Sequence, residues 1–346
     1  MANIFSKNIL SILAGFATFF ALGVIGLGAF TRLLDAGLGC PDWPLCYGHL
    51  LAPINSISEV IITHYPAYPA YKAWAEMIHR YFAGTLGCLI IIIFIITLKK
   101  NARYKSNLLL SSFLLILLFW QIMLGQWTVT YKLLPIVVTG HLLGGFAILS
   151  ILWLIYLNNN SILFIKLQSD ERTIFHITAF FASIGLILLL IQIFLGAWTS
   201  THYAALSCTD FPLCQNNQAF SLTGFSQAFT LWTPVGINYE GGILSDTIRQ
   251  TIQMVHRIGA LILTAYLLLF AMIASVKLIK FPKIMQSIYI LLALLVLQLC
   301  IGMMNVLFKR PLVIAICHNL VASLLLLALI TLIFKLFSYS KKIASV

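Results

Sequence analysis

Eight long apolar runs, near residues 9–30, 75–98, 107–129, 135–157, 174–199, 249–276, 285–308 and 311–337, limit this chain more than any other feature. Each is long enough to cross a bilayer at about 20 residues per crossing. Hydrocarbon offers no hydrogen bonds, so a spanning segment must satisfy its own backbone, and apolar runs of this length do so as helices. The fold class is therefore an all-α polytopic membrane protein with eight transmembrane helices. Composition agrees: 61% of residues are hydrophobic and 9% charged, far from the balance of a soluble domain. A net charge of +12 could suggest nucleic acid. The cations instead sit in short segments beside the runs: Lys99, Lys100, Arg103 and Lys105; Lys166 and Arg172; Lys277, Lys280 and Lys283; Lys335, Lys341 and Lys342. With Lys7 they mark a cytoplasmic side, which makes the bilayer the partner and argues against nucleic acid. Both termini then lie inside a cell inner (plasma) membrane, and the long loops 31–74 and 200–248 lie outside. The first run is too long for a signal-peptide core and has no A-x-A cleavage pattern after it, so it reads as a retained span.

The chain repeats itself. Glu76-Met77-Ile78-His79-Arg80 is answered by Gln253-Met254-Val255-His256-Arg257, and 62 residues separate His79 from His141 and His256 from His318. Gln121 to Gly125 and Gln298 to Gly302 stand at matching places ahead of the second histidines. The economical description is two pseudo-symmetric four-helix bundles, residues 1–160 and 161–346, a parallel repeat about an axis along the membrane normal. In this topology all four histidines lie in the first third of helices entering from the outer face. At about 1.5 Å per residue that is roughly 5–12 Å from the outer end.

Two imidazoles on neighbouring helices at one depth suit the two faces of a porphyrin iron, and four-helix bundles hold cofactors in this way. A lone intramembrane histidine more often hydrogen-bonds across helices, but two pairs at equal separation favour metal or haem ligation. Zinc usually wants a compact set of four ligands, so haem fits better. Arg80 and Arg257 could pair with haem propionates or snorkel to the interface. Glu76 shares a helix face with His79 and is matched in the second half by Gln253, which cannot titrate. This difference suggests chemistry in the first half and a permanent cofactor in the second. The alternative is a surface carboxylate paired with Lys72. Cys40 and Cys46, and Cys208 and Cys214, stand at equal spacing in the outer loops and should form disulfides on the oxidising side. Either pair could be redox-active or a structural staple. Cys88, Cys300 and Cys317 lie in apolar runs and read as packing residues. His49, His64, His176 and His202 carry no assigned chemistry. The 220–232 stretch is amphipathic enough to lie on a membrane surface. The chain has no Gly-rich phosphate loop, which argues against an energy-driven pump.

Thr31-Arg32-Leu33, the Cys-Pro-Asp-Trp-Pro-Leu-Cys segment from Cys40 to Cys46, Glu76-x-x-His79-Arg80, the Gln-x-x-x-Gly-x-x-Thr-Val run from Gln121, Thr139-Gly140-His141, His256-Arg257 and His318-Asn319 together resemble the haem A synthase (heme A synthase) family. The resemblance runs from about residue 10 to about 337, with a local departure at Leu34-Asp35-Ala36. It implies an oxidoreductase that converts the C8 methyl of haem O to the formyl of haem A by successive hydroxylations, for haem-copper oxidase assembly. It also implies that His79 and His141 face the iron of substrate haem O, and that His256 and His318 ligate a resident haem B. Glu76 becomes the catalytic carboxylate, Cys40 and Cys46 the functional cysteine pair, and Cys208 and Cys214 a structural one. Haem O synthase, a quinone-like electron acceptor and a second copy of the chain are the partners considered. Two other readings of the residues stand beside this one. A quinol-linked dihaem b-type cytochrome explains the histidines but not Glu76 against Gln253. A haem transporter or chaperone gives the outer cysteines no role.

Overall fold

The computed structural model of the protein describes residues 2–52, 69–99, 105–160, 167–214 and 224–340. His64, Lys100, Arg103, Lys166, Lys341, Lys342 and the start of the 220–232 stretch lie outside them. Among the described residues there are nine helices and no strands: α1 (Ala2–Leu33), α2 (Ala70–Leu98), α3 (Lys105–Thr130), α4 (Pro135–Asn159), α5 (Ser169–Thr201), α6 (Phe225–Ala228), α7 (Asp246–Leu278), α8 (Pro282–Leu307) and α9 (Leu312–Ser340). All but the four-residue α6 are long and apolar enough to span a membrane, so the chain is a multi-pass membrane protein.

The helix boundaries follow local chemistry. Pro135 and Pro282 stand at the first turns of α4 and α8, where a missing N–H costs nothing. Gln168 and Glu171 form a capping box at the start of α5. The α3–α4 and α8–α9 turns are the same device used twice. Lys132 and Leu133 in one, Lys309 and Arg310 in the other, have left-handed backbones. Leu133 N–H returns to the Thr128 carbonyl as Arg310 N–H returns to that of Asn305. The ends of α1 and α5 also match, with Asp35 and Tyr203 at positive φ, and with Ala36 and Ala204 each donating to a carbonyl five residues back. Such closures satisfy carbonyls that a helix end leaves open.

Helix pairing is the same in each half of the chain. α1 packs on α2 and α4, and α3 on α2 and α4, just as α5 packs on α7 and α9, and α8 on α7 and α9. The halves meet through α1 on α9, α4 on α5 and α4 on α9. Buried Ala14, Ala17 and Ala21 allow α1 to lie close to Ile148, Leu152 and Ile155 of α4, the small-residue contact by which helices associate where lipid removes the hydrophobic incentive. Trp153 Nε1 donates to Thr331 Oγ1 at 2.8 Å across the junction. The outer surfaces of the spans are apolar, including Phe19, Ile187, Leu261 and Met272. Cys88 and Cys300 belong to that surface, which corrects their reading as packing residues, and Cys317 is half-buried. A lipid-facing position accepts the same small apolar side chain as a core does.

Candidate functional site

His79 lies nine residues beyond Ala70, His256 ten beyond Asp246, His141 six beyond Pro135 and His318 six beyond Leu312. Each ring rests on a glycine of a neighbouring helix: His79 on Gly28 of α1, His141 on Gly125 of α3, His256 on Gly196 of α5 and His318 on Gly302 of α8. A β-carbon at any of these glycines would stand 3.0–3.2 Å from the imidazole Cε1. The ring centroids of His79 and His141 are 6.4 Å apart with planes at 82°. Nδ1 of His318 is buried with no hydrogen-bond partner in the protein, and the His79 and His141 rings meet only the backbone of Val24 and of Gln121. A buried nitrogen without a partner is costly unless something outside the chain meets it. Two rings at 6.4 Å leave room for one metal between nitrogens that bond at about 2 Å each. Among the described residues no three His, Cys, Asp or Glu side chains converge. The donors come in pairs, and a planar iron ligand fits them.

Glutamines stand one turn from three of the four glycines. Gln121 Nε2 donates to the His141 carbonyl at 2.6 Å, Gln192 Nε2 lies 3.0 Å from both the carbonyl and Nδ1 of His256, and Gln298 Nε2 lies 3.3 Å from Nε2 of His318.

The Glu76 and Gln253 positions are the structural counterparts that the repeat implies. Their side chains are 5% and 3% exposed. Glu76 Oε2 accepts the Cys40 N–H at 2.9 Å, and Gln253 Oε1 accepts that of Cys208 at 2.5 Å. Beyond that bond they differ. Glu76 Oε1 forms a close ion pair with Arg80, whereas Gln253 Nε2 donates to the Ala205 carbonyl at 2.8 Å. The alternative partner Lys72 pairs instead with Glu240, at 3.4 Å.

Arg80 Nη1 donates to the carbonyls of Asp42, Pro44 and Leu45, and Arg257 Nη1 to those of Asp210, Pro212 and Leu213, at 2.8–3.4 Å. Both guanidiniums face the cysteine loops. The loops are closed by the expected disulfides, Cys40–Cys46 and Cys208–Cys214, with Cα atoms 4.8 and 4.6 Å apart. Gly39 lets the first loop lie flat on α2, since a β-carbon there would stand 2.6 Å from the Lys72 carbonyl. Disulfide loop, arginine, and carboxylate or amide thus form one connected unit in each half, on the helix that also carries the first histidine of the pair.

Residues 11–330 match the COX15-CtaA family, described as cytochrome oxidase assembly protein. The chain belongs to that family. It is 42% identical over 317 residues to the heme A synthase of Shewanella oneidensis, covering 90% of this chain and 92% of that one. It is 26% identical over 314 residues to the heme A synthases of Bacillus cereus strain G9842 and Bacillus mycoides, covering 88% of this chain and 86% of each.

The matched region takes in both disulfide loops and all four histidines. Sequence reasoning passed over Gly28, Gly196 and Gln192. The Gln-x-x-x-Gly spacing at 192–196, a third copy of the one at 121–125 and 298–302, was the available signal. It also passed over the burial of His202, which is 5% exposed and closes α5 with Nδ1 3.0 Å from the Trp198 carbonyl. Burial lowers the His202 pKa to about 4, with the Arg32 charge acting in the same direction.

Proposed function

We propose that the chain is a haem A synthase, oxidising the C8 methyl of haem O to the formyl of haem A by two successive hydroxylations and loss of water. The observation that carries this reading is an asymmetry between two similar sites: a buried carboxylate, Glu76, beside one histidine pair and an amide, Gln253, beside the other. Its kinship with proteins named heme A synthase supports the substrate class.

In this reading residues 1–160 take the substrate, with His79 and His141 facing the iron of haem O, and residues 161–346 hold haem B between His256 and His318. Haem B supplies a redox group able to accept electrons. The chain's own residues supply the rest. Gly28 and Gly125 set the rings of the substrate pair. Glu76 is a proton-carrying group one helical turn from His79, and its pairing with Arg80 holds Oε1 in place. Arg80 and Arg257 position the loops, and Cys40–Cys46 lies against Glu76 through the Cys40 N–H. That contact gives the disulfide a route to influence the carboxylate. The unit sits at the outer face of the plasma membrane, as the distribution of basic residues implies. Each hydroxylation takes its oxygen from water and releases two electrons and two protons, the electrons leaving to a quinone-like acceptor, and haem O arrives from the enzyme that makes it.

The test is chromatographic identification of haems extracted from the purified protein, expressed with and without a haem O supply. Haem A alongside haem B, only when haem O is available, is the expected outcome. Haem B alone in both cases would favour the dihaem cytochrome or a haem carrier and overturn the proposal.

A further inference from the structure

α1 and α8 both pack on α9, and between them lies a cavity of about 390 Å³ that no step of the proposed reaction uses. Phe19 and Leu22 of α1, Ile290 and Leu294 of α8, and Leu324 and Ala328 of α9 line most of it. Phe19 and Ile290 are also exposed on the outer surface of the bundle, so the cavity opens toward hydrocarbon. The hydroxyls of Thr18 and Thr331 in its wall already donate to the Ala14 and Leu327 carbonyls. Lys335 is different. It stands half-buried at the end of the cavity away from the histidines, 17 residues beyond His318. Its Nζ donates to Ser287 Oγ at 2.7 Å and to the Lys283 carbonyl at 3.4 Å. Both partners are neutral, and an ammonium has three donors. Among the described residues no carboxylate pairs with Lys335 or Lys283. The carboxylates that open α5 are engaged locally, Glu171 with the Gln168 N–H and Asp170 with the Ser169 hydroxyl.

A charge drawn out of water calls for an opposite charge. Leu324, Ala328, Thr331 and Lys335 follow one another along a single face of α9, at helical spacing. From Leu324 to Lys335 that face runs roughly 16 Å at 1.5 Å per residue, the depth of one leaflet of a hydrocarbon core about 30 Å thick. The groove is thus basic at one end and apolar for the length of one acyl chain. Basic pockets between spanning helices take anionic headgroups, whereas an isoprenoid quinone has a tail but no charge to set against Lys335. We propose that this groove binds an anionic phospholipid, with the phosphate on Lys335 beside Ser287 and one acyl chain lying between α1 and α8. The lipid bridges the two halves of the chain, because α1 belongs to the first and α8 and α9 to the second. The site is independent of the reaction proposed above.

The test is native mass spectrometry of the full-length protein in detergent, titrated with phosphatidylglycerol or with phosphatidylcholine of the same acyl chains. The wild type should bind one phosphatidylglycerol more tightly than phosphatidylcholine. Lys335→Gln keeps a donor for Ser287 and removes the charge. It should weaken phosphatidylglycerol about five-fold, the effect of one basic residue at a membrane surface, and leave phosphatidylcholine unchanged. Ala328→Trp fills the groove and keeps Lys335, so it should weaken both lipids alike. Circular dichroism establishes wild-type helix content for each variant, and Lys335→Gln decides the question by itself where Ala328→Trp folds poorly. Equal binding of the two lipids by the wild type overturns the proposal, as does wild-type affinity for phosphatidylglycerol in Lys335→Gln or in a folded Ala328→Trp. Co-purification of an isoprenoid quinone that Ala328→Trp displaces, with phosphatidylglycerol binding unaffected, overturns it too.

Discussion

Glu76 and Gln253 accept the same backbone hydrogen bond from the first cysteine of their loops, yet only Glu76 can exchange a proton. Gln253 therefore shows that an amide is compatible with this position. Glu76→Gln should keep the fold and the resident haem and should abolish conversion of haem O, read as haem O in place of haem A in the extract. Full conversion by that variant would take Glu76 out of the mechanism. The glycine seats lead to a steric prediction. Gly196→Leu places a branched side chain where His256 Cε1 stands at 3.2 Å from a bare β-carbon, so haem B per polypeptide should fall to a small fraction of wild type, as it should in His256→Ala or His318→Ala. Bound haem measured by pyridine haemochrome decides it. At this scale the sequence was informative about which residues pair and poor about direction. Arg80 follows His79 directly, but successive residues on a helix point about 100° apart, and that turn aims its guanidinium at the carbonyls of residues 42–45.

The disulfide loops behave as elements in their own right, each fastened by one arginine, Arg80 to three carbonyls and Arg257 to four. Arg257→Ala would leave the carbonyls of Asp210, Pro212 and Leu213 without their shared donor. Cys208–Cys214 should then be reduced several-fold faster by a mild thiol, while Cys40–Cys46 keeps its wild-type rate, as scored by alkylation and mass spectrometry. The end of α5 leads to a pH prediction. His202 titrates at about 4 in the folded protein and near 6.5 when unfolded. Its folded pKa is depressed, so the unfolded chain takes up the proton first as pH falls. The stability it contributes is complete above about pH 6.5 and is lost between there and about pH 4, amounting to about 3 kcal/mol. Melting in detergent should fall over that window, and His202→Gln should flatten the fall. Helix extents were readable because bilayer thickness dictates them. The loop contacts were not, because Lys72 and Glu240 meet from opposite halves of the chain.

At the scale of the molecule, the two halves share one apolar junction crossed by few polar contacts. The Trp153 to Thr331 hydrogen bond is one, and Arg32 to the Ser200 carbonyl, at 2.5 Å, is another. Thr331→Val removes the acceptor while keeping the volume, leaving an indole N–H unpaired in a low-dielectric setting. The expected loss is about 1–2 kcal/mol, seen as a lower melting temperature with haem content unchanged. Matching helix contacts in the two halves explain how one scaffold can hold two similar arrangements whose side chains differ at single positions, as at Glu76 and Gln253.

The sequence by itself determined the membrane-spanning class, the number of spans, the repeat, the histidine pairs and the Glu76 to Gln253 contrast. Each of these follows from hydrophobic length or from spacing along the chain, which are local quantities. Only the tertiary structure decided that the histidines sit on glycines, that the arginines hold the disulfide loops, that Cys88 and Cys300 face outward and that Gln192 meets His256. Those facts depend on how neighbouring helices are rotated about their axes. In a membrane both faces of a helix are apolar, so the hydrophobic pattern that reveals rotation in a soluble protein is largely erased.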